Sequence, residues 1–386
     1  MELKHQKEFC IIGPSYPFRG GIPHYTTLLY KNLKKRHSVS FYAFKRQYPK
    51  WLFPGKTDRD PSSIAIKDDS IENMLDSINP LTWLKAFQKV KQDDPNVLIF
   101  PWWVSFWTPQ FWSISTLIRK FTSAKVLFIC HNIVQHESKL WDRLCTKLVL
   151  KNGDYFIVHS DEDLGNLKNI LPEANVKKTF HPTYEVFNFR MGEACLAHTK
   201  SEAQRQLGVS GRVMLFFGFV RPYKGLKYLL DAMPIVLERF DVTLLVVGEF
   251  WHDKADYLKQ IDRLGIKDKV MIVDRYVPNE EVSVYFCAAD VLVLPYVTAT
   301  QSGIVQIAYG FNKPVIVTRV GGLPDVVEHG KTGFLVEPEN PQAIAKAVIS
   351  FYEGEWNDRF VRNISEEREK FSWNRMIEVI DSFWES

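Results

Sequence analysis

The second half of the chain alternates short apolar runs with longer segments in which apolar residues recur at helical spacing. The apolar runs predict buried strands at residues 213–217, 242–247, 269–273, 290–294, 314–318 and 333–336. The segments between them predict helices at residues 225–239, 253–265, 279–288, 302–311, 322–329 and 341–353. Strands that alternate with helices form a parallel sheet with right-handed crossovers. The pattern therefore predicts a Rossmann-like domain.

The first half of the chain follows the same alternation less regularly. Its apolar runs predict strands at Phe9–Gly13, Val39–Phe44, Val97–Phe100, Lys125–Cys130 and Asp154–Val158. The first strand leads through a loop containing Gly20 and Gly21 into a helix, which is how a Rossmann-like unit begins. The spacing of the dinucleotide fingerprint is missing, so NAD binding is disfavoured. Because 386 residues exceed one ordinary core, we predict two such domains, joined near residues 191–201.

Composition and charge narrow the class of protein. Hydrophobic residues make up 46% of the chain and charged residues 24%, as in soluble globular proteins. The five cysteines include no C-x-x-C pair, which disfavours a zinc knuckle or a disulfide framework and fits a reducing cytoplasm. The first residues contain no long apolar core, so a secretory signal is not expected.

The formal net charge is only +4, but its distribution is uneven. Residues 1–50 contain ten lysines and arginines against two glutamates. This skew favours an anionic partner, either a membrane or an acidic ligand; no motif supports nucleic acid. A solvated helix face with a basic end explains the skew equally well.

The stretch from Arg212 to Asp231 carries the clearest chemical signal. A buried strand ends at Gly218, and a short turn containing Arg221 and Lys224 leads into a helix that begins at Gly225. A helix N-terminus offers unpaired N–H groups and a positive dipole, and two cations add full charges. We interpret this stretch as a diphosphate pocket; a solvated basic turn is the alternative that fits the same sequence pattern.

Two more turns in the second half follow predicted strands in the same way. Ser302 and Gly303 begin a helix after a loop rich in threonine, and Gly321-Gly322 separates the next strand from its helix. In the first half, His131 follows the strand Lys125–Cys130. Ligands of open α/β sheets bind at the carboxyl ends of strands, so each of these positions is favourable for a site.

Aromatic residues concentrate in a charge-free stretch between Asp94 and Arg119. Its prolines would break a membrane-spanning helix, so we expect a strand, a loop and a helix start after Pro109. The rings could stack on sugars or enter a membrane interface, and a place in the domain core is the competing explanation; they include Trp102, Trp103 and Trp107. Asp58-Arg59-Asp60 matches the D-x-D of metal-dependent sugar transferases in letters only, and we predict no metal site.

Taken together, four segments of the second half resemble the family 4 retaining glycosyltransferases, which have the GT-B fold. The segments are GFVRPYKGLKYLLDA, GIVQIAYGFNKPVIVT, VGGLPDVV and HGKTGFLVEPENPQAIAKAV. The resemblance implies an α/β protein with two Rossmann-like domains whose parallel sheets face a central cleft. It implies an acceptor-binding domain at residues 1–190, a nucleotide-sugar-binding domain at 191–365 and a C-terminal helix at 366–386 that packs back on the first domain.

The resemblance also implies roles for individual residues. Arg221 and Lys224 look like the pair that grips the diphosphate, where two fixed cations replace a metal. His131 resembles the histidine that contacts the donor sugar, although it could instead be a structural histidine at a strand end. The loop at Gly20 and Gly21 resembles one that lets backbone approach the diphosphate or the acceptor.

The chain departs from the family pattern at one point. The family usually has two glutamates separated by seven residues, and the corresponding positions here are Ala299 and Ile307. Donor binding is then either weakened or carried by other groups of this loop and helix, for which the candidates are Thr300, Gln301, Ser302, Gly303 and Gln306. Trp102, Trp103 and Trp107 are the acceptor candidates.

These inferences predict a metal-independent hexosyltransferase without a cofactor. It would move a sugar from a nucleoside-diphosphate donor, with retention, to a glycan or lipid-linked saccharide in polysaccharide biosynthesis. We expect it in the cytoplasm, with the inner face of the cell membrane as a possible place of contact. Two alternatives stay open: a non-catalytic nucleotide- or glycan-binding relative, and a GT-B epimerase, which the missing carboxylates disfavour.

Overall fold

The computed structural model describes residues 7–49, 57–62, 66–134, 140–184, 187, 198–251 and 253–384. The chain divides into two compact units. The first comprises Met1–Asp60, Ala65–Phe180 and Trp373–Ser386, and the second comprises Pro61–Ile64 and His181–Ser372.

Strands and helices alternate through both units. Up to residue 180 they are β1 (Glu8–Gly13), α1 (Gly21–Leu33), β2 (Ser38–Arg46), β3 (Glu72–Asp76), α2 (Pro80–Asp93), β4 (Val97–Trp102), α3 (Thr108–Phe121), β5 (Lys125–Cys130), α4 (Leu140–Leu150), β6 (Tyr155–Val158), α5 (Asp161–Ile170) and β7 (Val176–Lys178). After it they are α6 (Lys200–Leu207), β8 (Arg212–Phe217), α7 (Leu226–Leu237), β9 (Val242–Val247), α8 (Lys254–Leu264), β10 (Val270–Val273), α9 (Asn279–Ala288), β11 (Val291–Leu294), α10 (Gly303–Gly310), β12 (Val315–Thr318), α11 (Leu323–Val326), β13 (Gly333–Val336), α12 (Pro341–Glu353), α13 (Trp356–Glu366) and α14 (Trp373–Asp381).

Each unit is built on one parallel sheet. The first sheet has the order β3-β2-β1-β4-β5-β6-β7 and the second has the order β10-β9-β8-β11-β12-β13. In each sheet the chain starts at a central strand, moves to one edge, and then returns to fill the other side. The strand order therefore reverses between β1 and β4 and again between β8 and β11, and such reversal points are where open α/β sheets bind ligands. The predicted α/β class with two Rossmann-like parallel sheets is confirmed.

The strands form where they do because their side chains are buried on both faces of each sheet. All six residues of β4 are buried, as are five of six in β8, and helices cover the sheets with their apolar stripes. No described helix combines the length and the apolar character that crossing a bilayer requires. The charge-free aromatic stretch is divided between β4 and α3, and α3 begins at Thr108, whereas the sequence predicted a helix start after Pro109.

The C-terminal helix α14 belongs to the first unit. Its Met376 sulfur accepts a hydrogen bond from the Tyr25 hydroxyl at 3.7 Å, and its Asp381 carboxylate lies 2.9 Å from the His37 ring. The units divide between Phe180 and His181, earlier than the predicted boundary at residue 190, and again before Trp373 rather than at residue 366. Of the linker predicted at residues 191–201, residues 191–197 lie outside the described residues.

Two glycines with the same backbone conformation offer a direct test of packing at the carboxyl edge of the second sheet. Gly208 and Gly225 both have a φ of +68°, but a Cβ at Gly208 would meet nothing within 4 Å, whereas at Gly225 it would lie 1.9 Å from the Pro295 carbonyl oxygen. We expect Gly208→Ala to lower the free energy of unfolding by about 1 kcal/mol, from the left-handed conformation alone. Gly225→Ala should cost about 1–3 kcal/mol more, because the backbone must move.

Urea denaturation of both variants and the wild type under identical conditions measures this difference. Equal destabilisation by the two substitutions would contradict the close approach at Gly225.

Candidate functional site

The carboxyl ends of β8 and β11 bring two loops of the second unit into contact. After β8 the chain passes Gly218, makes a single turn of 3-10 helix at Pro222–Lys224, and enters α7 through Gly225. The Val297 N–H, from the loop after β11, donates to the Tyr223 carbonyl at 2.8 Å. The predicted diphosphate turn therefore lies at the point where the strand order of this sheet reverses.

Lys224 is the most unusual residue of this turn, because its side chain is buried and only 8% of the residue is exposed. Its ammonium lies 5.2 Å from the centre of the Tyr296 ring, and it forms no ion pair or side-chain hydrogen bond with any described residue. Desolvation by burial lowers the pKa of Lys224; the neighbouring Tyr223 opposes the shift and Arg221 adds to it. A buried ammonium without a counterion is costly, and an anionic ligand would supply the missing partner.

Arg221 is the second cation of the turn and is half-buried. Its guanidinium stacks on two rings, 5.1 Å from the centre of the Tyr223 ring and 4.9 Å from that of Trp251. In the part of the chain that the structure describes, no carboxylate pairs with it. Stacking holds the guanidinium plane while leaving its N–H donors available, a geometry suited to binding two oxygens of a phosphate.

The first turn of α10 lies beside the Lys224 ammonium. A Cβ placed on Gly218 would be 3.0 Å from the Lys224 Nζ and 3.4 Å from the Ile304 Cδ1. No side chain caps the N-terminus of α10, whose N-cap residue is Ser302. The first turn of α10 and the buried ammonium therefore both lie close to Gly218, and a helix N-terminus near a cation is how an anion site is built.

The loops after β11 and β12 pack backbone against backbone. The Gly322 N–H donates to the Thr300 carbonyl at 3.0 Å, and Gly321, with a φ of +51°, leaves no room for a Cβ beside the Ala299 carbonyl. This contact explains the glycine at position 321 and places Thr300 beside the entrance to α10.

Two glutamines near this entrance have buried polar atoms without a described partner. They are the Nε2 of Gln301 and the Oε1 of Gln306, a residue that is only 1% exposed. Both were candidates for replacing the missing carboxylates. At the two carboxylate positions themselves, Ala299 and Ile307 are buried apolar residues.

The predicted site residues of the first unit lie at the carboxyl edge of its own sheet. The His131 N–H donates to the Trp102 carbonyl at 2.7 Å, which ties the end of β5 to that of β4. The His131 ring packs edge-on against the Tyr25 ring, with ring centres 4.4 Å apart. Its centre lies 5.3 Å from that of the His159 ring. Burial lowers the pKa of His159 to about 4, partly opposed by its hydrogen bond to the Thr179 carbonyl.

The glycine loop also lies at this edge. Gly20 has a φ of +111°, which only glycine adopts readily, and Gly21 begins α1. The Gly20 carbonyl lies 2.9 Å from the Nδ1 of His24, whose Nε2 lies 3.4 Å from the buried carboxylate of Asp60. The second aspartate of the D-x-D letters is thus held by a histidine, and no described group of three or more potential ligand residues could hold a metal ion.

The aromatic loop requires a correction. Trp102 is 1% exposed and Trp107 is fully buried, and both belong to the hydrophobic core beneath α2, α3 and α4. Their rings present no face to a sugar, so the domain-core explanation applies to them. Trp103 is half-buried against that core and is the one of the three that keeps exposed surface.

The sequence reasoning did not identify three aromatic residues that shape the cation pair: Tyr223 and Trp251 beside Arg221, and Tyr296 beside Lys224. Tyr296 and Trp251 each follow a strand that neighbours β8 in the sheet. The sequence could have indicated these two residues, because, like Arg221, they follow predicted strands.

The second unit is similar in sequence to a known family of proteins. Residues 211–354 match the family of glycosyl transferases group 1. The chain is similar to this family over that region. An uncharacterized glycosyltransferase of Methanocaldococcus jannaschii is 32% identical over 183 residues, covering 46% of each chain. The D-inositol 3-phosphate glycosyltransferase of Corynebacterium glutamicum is 27% identical over 262 residues, covering 63% of this chain and 59% of that one.

The chain thus spans about half the length of the curated relatives it matches. Among solved structures, Anabaena HepE in complex with UDP superposes with a TM-score of 0.73 at 18% identity, covering 97% of this chain and 100% of that one. A likeness at this identity establishes the fold alone, and the fold is GT-B. The match covers both units, whereas the family match is confined to the second.

The desolvated charge of Lys224 makes a prediction about stability. Because its pKa is lowered on folding, the unfolded chain binds more protons than the folded chain between that lowered value and 10.5. The contribution of Lys224 to the free energy of unfolding therefore rises with pH across this window. Lys224→Met abolishes that contribution, so the stability of the wild type relative to the variant should increase between about pH 7 and about pH 10.5.

Urea denaturation at the two pH values measures this difference, and Lys227→Met is the matched control because Lys227 is exposed in the same segment. A difference between wild type and Lys224→Met that does not change with pH would refute the desolvation of this ammonium.

Proposed function

We propose that this protein is a group 1 glycosyltransferase that moves a sugar from a nucleoside-diphosphate donor to a glycan or a lipid-linked saccharide. The observation that carries the proposal is the pair of cations at the end of β8, Lys224 buried and Arg221 stacked, neither with a carboxylate partner among the described residues. Such a pair suits a ligand that brings two negative charges. The family match over residues 211–354 supports the same conclusion.

In this reaction the bond between the anomeric carbon and the diphosphate oxygen breaks, a bond to an acceptor hydroxyl oxygen forms, and the proton of that hydroxyl passes to the departing diphosphate or to solvent. Negative charge grows on the leaving diphosphate, so fixed positive charges bound to it lower the barrier. Arg221 would bind two oxygens through its fork, Lys224 would act as a point charge, and the N-terminus of α10 would add N–H donors. We assign the donor loop to Thr300, Gln301, Ser302, Gly303 and Gln306.

The first unit would supply the remaining groups of the proposed reaction. His131 would contact the donor sugar, Gly20 and Gly21 would let backbone approach the diphosphate or the acceptor, and Trp103 is the aromatic residue left for an acceptor sugar. HepE, which shares the fold, has been solved with UDP and with UDP-glucose. UDP-sugars are therefore the first donors to test.

Binding of a nucleoside diphosphate should depend on Arg221. Removing a charged hydrogen-bonding group from such a site should weaken binding of the preferred nucleoside diphosphate by about 10–100-fold in Arg221→Ala, measured by isothermal titration calorimetry. Lys227→Ala is the matched control and should bind as the wild type does, because Lys227 is an exposed cation near the turn. Equal binding by wild type and Arg221→Ala would refute the proposed diphosphate site.

Two further properties follow from the proposed mechanism, both carried by the family resemblance. Transfer should proceed without loss of rate in EDTA, since two side-chain cations take the place of a metal. The anomeric configuration of the donor should be retained in the product, which NMR of the first-formed product measures. Inhibition by EDTA that added Mg²⁺ or Mn²⁺ reverses, or an inverted product, would contradict the corresponding part of the mechanism.

One observation favours a second candidate function. Ala299 and Ile307 place buried apolar side chains where the resemblance leads one to expect glutamates, so a protein that binds a nucleotide or a glycan without turnover is the alternative. Donor hydrolysis and transfer assays separate the two: donor binding without any turnover across a panel of acceptors would favour the binding protein.

A further inference from the structure

The outer surface of the first unit carries an unusual concentration of exposed apolar side chains. Helices α2, α3 and α4 pack their inner sides on one hydrophobic core. We call the solvent side of these three helices the outer face. Of the nine large hydrophobic side chains that are exposed in the described part of the chain, eight lie on α2, α3 and α4 or immediately before α2. The ninth is Leu258, in the second unit.

The pattern is clearest on α4. Trp141 is 74% exposed, Leu144 63% and Leu148 45%, and their spacing of three and four residues places them on one stripe of the helix. An apolar stripe at this spacing usually packs against a core. Here the buried side of the helix is a different one, which includes Val149 and Leu150.

The neighbouring helices extend the apolar surface. Leu81 and Leu84 are exposed on α2, one turn apart, and Trp112 and Phe121 are exposed on α3. Phe121 lies against Phe87 of α2, with ring centres 6.0 Å apart, so the two helices contribute to one surface. A cluster of exposed apolar side chains of this kind marks a surface that binds another protein or a membrane.

Cations without carboxylate partners surround these side chains. On α4, Arg143 and Lys147 are exposed beside the apolar stripe, and Lys151 follows one turn later; none of the three forms an ion pair with a described residue. On the neighbouring helices, the ammonium groups of Lys91 and Lys120 lie 6.0 Å and 5.4 Å from the centre of the Phe121 ring. This surface therefore combines apolar side chains with uncompensated positive charge.

We propose that the outer face docks onto the surface of an anionic phospholipid bilayer. Rings and leucines would enter the boundary between headgroups and acyl chains, while the lysines and arginines would bind lipid phosphates. Charge complementarity decides against a second copy of this chain, since two identical faces would bring their unpaired cations together. The proposal goes beyond the proposed function and does not depend on it.

Vesicle flotation tests this docking without any sugar donor, so its outcome is separate from that of the transferase assays. The full chain should bind vesicles of phosphatidylcholine mixed with an equal amount of phosphatidylglycerol and should bind pure phosphatidylcholine at least about tenfold more weakly. The double variant Trp141→Ala, Leu144→Ala should lose about tenfold or more in binding. Lys147→Gln, Lys151→Gln should lose about fivefold for each lysine, and high salt should have a similar effect.

Matched controls come from the second unit. Leu258→Ala removes a leucine that is 42% exposed, close to the 45% of Leu148, and Lys267→Gln removes an exposed lysine that has no described ion-pair partner. Both should bind vesicles as the wild type does, and circular dichroism should show all variants folded. Absence of binding to the mixed vesicles, or an equal loss in the controls, would overturn the proposal. So would a concentration-dependent dimer that Trp141→Ala, Leu144→Ala dissociates.

Discussion

The close approach of backbone segments at the carboxyl edge of the second sheet is the constraint on which the site depends. Gly225 lies against the Pro295 carbonyl, Gly321 against the Ala299 carbonyl, and Gly248 against the Gly218 carbonyl, and in each case a Cβ would overlap the oxygen. This packing brings the loops after β8, β9, β11 and β12 together. Lys224 is desolvated because the loops around it are this close.

A desolvated lysine is a liability for the folded protein, and this liability is informative. A surface cation costs little and needs no explanation, whereas a buried ammonium without a carboxylate lowers stability until an anion binds. Elsewhere many lysines pair with acids, such as Lys331 with both Glu328 and Glu367. This contrast favours the proposed anion site over a solvated basic turn, the two interpretations that the sequence left open.

The first unit has the same kind of sheet, but its most unusual feature is the composition of its outer surface. Its carboxyl edge carries a cluster of buried aromatic and histidine rings around His131, and the outer face formed by α2, α3 and α4 is apolar and cationic. An exposed tryptophan such as Trp141 loses hydrophobic stabilisation that burial would provide, so a surface with several such residues is best explained by a partner that covers it.

The sequence by itself determined the parallel α/β architecture and the cation turn, because both depend on local features. Apolar runs mark buried strands such as β8, and glycines mark the end of that strand at Gly218 and the start of the following helix at Gly225. What only the tertiary structure decided was exposure. From the sequence, Trp102 and Trp107 were candidates for sugar binding, but their rings lie in the hydrophobic core. Trp141 and Leu144 have the spacing of residues that pack on a core, but their side chains face solvent. Exposure depends on what the rest of the chain packs against each side chain, and local spacing does not contain that information.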